Sequence, residues 1–142
     1  MPNLANNAGY SGTPLWRKLG FDAGVASVVM GAPGDYAGLI GIPASPFVLP
    51  TDTLLPEGTR FLHLFTVHRA EMEAVLTSAR HRLAPTGMVW ISWPKKASRV
   101  PTDITEDTIR EVCLPMGFVD VKVCAVTDVW SGLKLMIRKE LR

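Results

Sequence analysis

Apolar residues recur with two different spacings along the chain, and the spacing changes where Gly and Pro cluster. The clearest helical spacing has apolar residues at three- and four-residue steps: Met72, Val75, Leu76, Ala79 and Leu83. Such a stripe predicts an amphipathic helix packed against a core. The charged residues of this segment are predicted to point away from the core: Glu71, Glu73, Arg80 and Arg82.

Four apolar runs without helical spacing are predicted to be strands, because Gly and Pro lie near their ends. They cover residues 25–30, 47–49, 61–67 and 88–93. The last run is almost entirely apolar, with Ser92 as its small polar interruption. This composition is typical of a central strand in a parallel sheet.

Three further helices are predicted from their end signals. The first runs from Thr13, as the cap, to Gly20, and the second covers 36–40 and ends at Gly41. The third begins after Thr105, or after an alternative capping pair formed by Asp103 and Glu106, and closes at Gly117.

The residues after Gly117 alternate between apolar and polar as strands do. Residues 119–125 and 129–141 are predicted to form an antiparallel hairpin turned at Thr127-Asp128. In the first of these strands one face is predicted to hold Val119, Val121, Val123 and Ala125. The element order predicts one three-layer, Rossmann-like α/β domain over 10–142, with a mostly parallel sheet and a flexible tail at 1–9.

Composition excludes several classes of protein. The 142 residues are 47% hydrophobic and carry a formal charge of +2, which is too even a balance for a general nucleic-acid binder. No apolar run reaches about 18 residues, so no membrane span is expected. The N-terminus has no signal-peptide pattern, and we expect a cytoplasmic location.

The residues that often bind metals or form disulfides are scattered. Cys113 and Cys124 belong to no CxxC pair and are expected to be small buried apolar residues. His63, His68 and His81 have no carboxylate at zinc-site spacing, so no metal site is predicted.

A basic cluster where strand 88–93 ends is the leading candidate for a binding site. Ligands of open α/β sheets bind beyond the carboxyl ends of the strands, and ammonium groups near a helix start favour an anion. The candidate ligand-binding residues are Trp93, Lys95, Lys96, Ser98, Arg99, Thr102 and Asp103. A solvated basic loop explains the same cluster. Whether Lys122 joins it depends on hairpin register, which the sequence does not give.

Two other segments are weaker candidates. Gly31-Ala-Pro-Gly-Asp35 could bring backbone N–H groups to a ligand or could be only a tight connection. Residues 10–13 could cover a crevice or only start the first helix. No GxSxG motif is present, and spacing nominates no Ser, His and acid cluster, so no catalytic residue is predicted.

Residues 83–91 and Gly117-Phe118, followed by a hairpin, resemble the carboxyl half of class I methyltransferases. That resemblance implies a turn that holds adenosylmethionine after the first strand, near Gly31. The turn in this chain is not GxGxxG, and Pro33 removes one N–H donor. Asp52 is the candidate for the acidic residue that the resemblance implies after the second strand. We therefore expect an altered cofactor loop, and the cofactor itself is not predicted.

Four sequence blocks are similar to the bacterial family catalogued as domain of unknown function 3052. They are residues 9–15, 92–98, 102–107 and 130–133, and residues 122–125 also fit. The resemblance implies a single bacterial, cytoplasmic α/β domain, and it implies no reaction.

The leading functional hypothesis is a non-catalytic binding or regulatory module that holds a small anionic ligand, such as a nucleotide or phosphate, at the strand ends. Lys95 and Lys96 would supply charge, and Trp93 an apolar wall. One alternative is a methyltransferase-like transferase with an altered cofactor loop. Another is a structural homo-oligomer, such as a homodimer, paired through the edge of the hairpin.

Overall fold

The computed structural model describes residues 12–42 and 46–142. Its strands are β1 (Ser27–Met30), β2 (Phe47–Leu49), β3 (Thr59–Phe65), β4 (Leu83–Pro94), β5 (Phe118–Ala125) and β6 (Trp130–Ile137). Its α-helices are α1 (Leu15–Leu19), α2 (Tyr36–Ile40), α3 (Arg69–Arg82) and α4 (Glu106–Met116). The predicted tail at 1–9 and the first two residues of the predicted 10–13 cover lie outside the described residues.

The six strands form one mixed sheet in the order β2-β1-β3-β4-β6-β5. β1 to β4 are parallel to one another, whereas β6 is antiparallel to both β4 and β5. The prediction of an α/β fold with a C-terminal antiparallel hairpin is therefore confirmed. The turn of the hairpin is held by Thr127, whose hydroxyl accepts from the backbone N–H groups of Val129 and Trp130.

Buried apolar side chains form a separate core on each face of the sheet. On one face α3 and α4 cover a core that includes Leu64, Ile91 and Trp93. On the other face α1 and α2 cover a core that includes Phe61 and Trp90. Trp90 is fully buried, and its indole N–H donates to the carbonyl of Leu19 at 2.7 Å, which fixes α1 on the sheet.

The helix ends follow most of the predicted signals. Three glycines close α1, α2 and α4 in the left-handed conformation: Gly20, Gly41 and Gly117. The hydroxyl of Thr105 accepts from the N–H of Thr108 at 3.2 Å and caps α4, as predicted. Thr13 was the wrong cap for α1, because Pro14 occupies the N-cap position without a side-chain hydrogen bond.

The alternative capping pair of Asp103 and Glu106 is also wrong. The Asp103 carboxylate instead accepts from the backbone N–H of Arg69 at 2.7 Å, so it satisfies a donor at the start of α3. Asp103 therefore joins the segment before α4 to the segment before α3.

The strict alternation predicted for residues 119–125 is wrong in the middle of β5. The register shifts between Asp120 and Lys122, which leaves Val121 as the extra residue of a bulge. Val121 is 48% exposed and Val123 is 51% exposed, because β5 is the edge strand and α4 covers it only in part.

The side chain of Arg110 links α4 to the hairpin through hydrogen bonds to carboxylates. Arg110 donates to the carboxylates of Glu106, Asp107 and Asp120, which belong to α4 and β5. Among the described residues, no helix is both long and apolar enough to cross a membrane.

We expect Thr105→Ala to lower the free energy of unfolding by about 1 kcal/mol, because the N–H of Thr108 loses its acceptor. Urea denaturation followed by circular dichroism measures this loss. Thr77→Ala is the matched control, since Thr77 is exposed within α3, and it should change stability by less than about 0.5 kcal/mol. Equal stabilities for the two variants would contradict the capping role.

Candidate functional site

The sheet has a topological switch point beside β1. The chain passes from β1 to β2 on one side and then returns to place β3 on the other side. In open α/β sheets, ligands bind beyond the carboxyl ends of the strands at such a point. A crevice of about 460 Å³ lies there, lined by Gly31, Pro50, Thr51, Phe65, Thr66, Val67, Glu71 and Trp130. We refer to it as the switch-point crevice.

Glu71 is the charged residue among these eight. It lies in the first turn of α3, where the helix dipole favours a carboxylate. The hydroxyls of Thr51 and Thr66 donate to its two oxygens at 2.7 and 2.6 Å. Each oxygen keeps a lone pair for a further donor. The crevice therefore favours a ligand with hydroxyl, ammonium or other cationic groups.

Aromatic rings form the apolar part of the crevice. The rings of Phe65 and Trp130 meet edge to face, with centroids 5.3 Å apart. Gly31 lets the chain pass close to β3, since a Cβ atom on it would lie 2.3 Å from the carbonyl oxygen of Phe65. Its φ of 73° also favours glycine. The crevice thus depends on a glycine at the end of β1.

A hydrogen-bonded series of buried polar side chains lies directly beneath the aromatic rings of the crevice. The hydroxyl of Tyr36 is hydrogen-bonded to Nδ1 of His63 at 2.8 Å, and Nε2 of His63 is hydrogen-bonded to the hydroxyl of Ser92 at 2.7 Å. The His63 ring stacks on Phe65 with centroids 4.2 Å apart. The chain therefore connects α2, β3 and β4 beneath the crevice.

Burial keeps these groups uncharged. It lowers the pKa of His63 to about 3 and raises the pKa of Tyr36. A neutral imidazole has one donor and one acceptor nitrogen, which matches the two hydroxyls. Ser92 has no exposed surface, so its hydroxyl is not accessible as a nucleophile. The three residues act as internal support.

The residues of the predicted anion site lie elsewhere on the same edge of the sheet. None of them lines the switch-point crevice. The backbone N–H of Lys95 donates to the carbonyl of Val129 at 2.7 Å, and Lys96 and Arg99 are exposed. The Ser98 hydroxyl donates to the carbonyl of Lys95 at 2.6 Å. Ligand binding at Lys95 and Lys96 stays a prediction.

The remaining members of that set have structural partners. The Thr102 hydroxyl donates to the carbonyl of Val67 at 2.8 Å, and Asp103 accepts from the N–H of Arg69. Trp93 is only 8% exposed and packs in the core on the α3–α4 face. These contacts leave little of Trp93 for stacking on a ligand.

Hairpin register separates Lys122 from Lys95 and Lys96. Lys122 pairs with Lys134, and Lys134 pairs with Trp90 of β4. Lys95 follows Trp90 by five residues, which is about 16 Å along an extended strand. Lys122 therefore does not belong to the cluster at the end of β4.

The turn between β1 and α2 offers few backbone donors. Pro33 has no N–H, and the N–H of Gly34 donates to the carbonyl of Ala32 at 2.9 Å within the turn. Gly31 is the residue of this turn that lines the crevice. The turn fits a tight connection better than a cradle for phosphate.

The crevice residues that sequence reasoning missed include Thr51, Thr66, Glu71 and Trp130. Glu71 points away from the core, as predicted, but it was not nominated as a site residue, because spacing does not show that the first turn of α3 lies at the carboxyl edge of the sheet. A usable signal was present, since Thr66 directly follows β3 and precedes Glu71 by five residues. Asp52, the acidic residue expected after the second strand, is exposed, and its neighbour Thr51 lines the crevice.

No family model and no curated protein matches this sequence. Solved structures do match its fold. A SAM-dependent methyltransferase from Aquifex aeolicus superposes with a TM-score of 0.61 at 14% identity, covering 85% of this chain and 86% of that one. The glycopeptide N-methyltransferase MtfA gives 0.60 at 10% identity, covering 86% and 87%.

A variant of LepI in complex with SAH and a substrate analogue gives a TM-score of 0.56 at 12% identity. The match covers 87% of this chain but only 39% of LepI. At these identities the likeness shows the fold alone. The chain thus has the Rossmann-like α/β architecture found in SAM-dependent methyltransferases.

We expect stability to fall as the pH drops below about 6.5, the pKa of histidine in an unfolded chain. Below this pH the imidazole of His63 is protonated in the unfolded chain, whereas in the folded protein it stays neutral down to about pH 3. The stabilisation is complete above pH 6.5 and declines by about 1.4 kcal/mol per pH unit below it. Urea denaturation between pH 7.5 and 5 measures the slope.

The variant His63→Gln should have a flatter slope over this range, whereas His81→Gln, at an exposed position, should keep the slope of the parent. NMR of the histidine rings supplies a second test. A ring signal from His63 that titrates above pH 5 would contradict the buried, neutral state.

Proposed function

We propose that this chain is a methyltransferase-like domain that binds adenosylmethionine, or a nucleoside of the same type, in the switch-point crevice. The observation that carries the proposal is the placement of Glu71. This carboxylate lies at the topological switch point of a fold shared with SAM-dependent methyltransferases, and the other residues that line the crevice carry no formal charge.

The crevice residues suit this ligand chemically. Adenosylmethionine carries a sulfonium cation, an ammonium group and two ribose hydroxyls, all of which a carboxylate attracts or accepts from. Phe65 and Trp130 offer ring surface to an apolar or aromatic part. A volume of about 460 Å³ lies within the usual range for small-molecule sites.

The ligand would supply an electrophilic methyl group when bound. The contribution of the chain is to bind and orient it. Thr51 and Thr66 hold the Glu71 carboxylate in one position, and Gly31 keeps the end of β1 close to β3. The buried chain of Tyr36, His63 and Ser92 fixes the elements beneath them.

Transfer of the methyl group to a second substrate is the enzymatic form of this proposal. The fold does not decide it, because a fold hosts many chemistries. One similar structure is described only as a pericyclic reaction enzyme, with a TM-score of 0.55. Production of adenosylhomocysteine in the presence of candidate acceptors distinguishes a transferase from a binding module.

The anion-binding hypothesis is weaker at this crevice, because a phosphate would approach the Glu71 carboxylate. An anion at Lys95 and Lys96 stays open as a second ligand site. A single domain over 10–142, a cytoplasmic location, a homodimer and membership of domain of unknown function 3052 likewise remain predictions. None of them changes the ligand proposed for the crevice.

Isothermal titration calorimetry with adenosylmethionine and adenosylhomocysteine tests the proposal. We expect Glu71→Gln to weaken binding about ten-fold, which is about 1.4 kcal/mol. Glu73→Gln is the matched control, because Glu73 lies on the same helix with an exposed side chain and outside the crevice. Its affinity should stay within about two-fold of the parent. ATP and inorganic phosphate should not displace adenosylmethionine from the crevice.

Thermal denaturation of both variants separates a loss of fold from a loss of affinity. A ligand at a hundred times its dissociation constant adds about 2.7 kcal/mol of stability. No binding of either adenosyl ligand by the parent chain would overturn the proposal. Equal weakening by the two glutamate variants would remove Glu71 from the site.

A further inference from the structure

One row of side chains crosses three strands on the α1–α2 face of the sheet. Trp90 lies directly opposite Lys134, and Lys134 lies directly opposite Lys122. Residues paired in this way point to the same face. Trp90 is buried, Lys134 is half-buried and Lys122 is exposed, so the row runs from the core to the edge of the sheet.

A third lysine comes from α1. Lys18 precedes Leu19, whose carbonyl accepts from the indole of Trp90. The pKa of the Cys124 thiol is raised by burial and is lowered by the charges of Lys18 and Lys122. Lys18 therefore lies one residue from the contact between α1 and Trp90, the β4 residue paired with Lys134, on the face of the sheet where Cys124 also packs. We call Lys18, Lys122 and Lys134 the lysine cluster.

No carboxylate neutralises the lysine cluster among residues 12–42 and 46–142. The ion pairs of this part of the chain are made by Arg69, Arg82 and Arg110. Asp120, the acidic residue of β5, pairs with Arg110 of α4 on the opposite face. Residues 1–11 and 43–45 contain no Asp or Glu in their sequence.

This arrangement opposes folding. Like charges directly opposite each other on neighbouring strands are destabilising. Burial, followed by the charge of Lys122, lowers the pKa of Lys134, which indicates that its ammonium is poorly compensated. Cysteine thiols at ordinary pH do not neutralise a lysine, and burial keeps the Cys124 thiol protonated. A bound anion would offset the repulsion.

We propose that the lysine cluster binds the phosphate group of a small phosphorylated ligand. Three ammonium groups present up to nine N–H donors to a group with several oxygens and up to two negative charges. The site lies on the face of the hairpin beside α1, outside the switch-point crevice. It is also separate from the end of β4, where ligand binding at Lys95 and Lys96 stays a prediction.

Calorimetric titration with inorganic pyrophosphate at low salt tests the site. We expect Lys122→Met with Lys134→Met to weaken binding at least ten-fold, since Met keeps the apolar stem and removes the charge. The control is Arg60→Ala with Lys139→Ala, which removes two charges from exposed positions outside the cluster. It should bind pyrophosphate within about two-fold of the parent.

Thermal denaturation adds a result that a purely structural role would not give. Without pyrophosphate the lysine-to-methionine variant should be at least as stable as the parent, because the repulsion is gone. Pyrophosphate should raise the midpoint of the parent and leave that of the variant unchanged.

Three outcomes would overturn the proposal. They are no binding of pyrophosphate by the parent, equal stabilisation of the parent and the methionine variant, and loss of binding only in Lys95→Ala with Lys96→Ala.

A single-stranded oligonucleotide is a further probe. Binding of the oligonucleotide without binding of pyrophosphate would also overturn it, because the site would then need an extended polyanion.

Discussion

The buried chain of Tyr36, His63 and Ser92 is the constraint on which the centre of the molecule depends. Each of the three polar groups lies in a core otherwise made of rings and aliphatic side chains. An unpaired polar group there would cost free energy, and an ionised one would cost more. The neutral imidazole satisfies both hydroxyls and stacks on Phe65, so the crevice floor and its support form one unit.

The acidic and the basic candidate sites lie in different parts of the molecule. A carboxylate at Glu71 lies where the parallel strands end, whereas the lysine cluster lies midway along the antiparallel hairpin. Because Glu71 belongs to α3 and the lysine cluster lies on the face covered by α1 and α2, these regions present opposite charge to different surroundings. A cationic nucleoside and a phosphorylated compound would therefore not compete for one place on this chain.

Local signals were sufficient to predict most of the elements. The exact bounds of α2 and β2 followed from the glycines and prolines that flank them, and the cap at Thr105 followed from a hydroxyl before an acidic first turn. Trp90 in the core followed from the uninterrupted apolar run around it. Such features depend on a few neighbouring residues, and sequence patterns carry them directly.

The site depends on contacts between distant residues, which spacing alone does not reveal. Thr51 and Glu71 meet because β2 and β3 end at the same edge of the sheet. Asp103 accepts from the N–H of Arg69 at the start of α3, because β4, which precedes Asp103, ends at that edge as well. His63 and Ser92 were visible as isolated polar residues in apolar strands, but pairing of β3 with β4 was needed to join them. Strand register and side-chain direction thus set the limit of prediction.

The bulge at Val121 has a consequence for how this surface could change in related sequences. With Val121 present, Lys122 lies opposite Lys134; in an unbroken ladder continued from Asp120, position 121 would lie there and Lys122 would turn towards α4. Loss of the Val121 codon would remove the bulge and leave Lys122 opposite Lys134, because Asp120 and Lys122 already pair with the consecutive residues Leu135 and Lys134. The hairpin can therefore lose this residue without moving any charged side chain to the other face of the sheet.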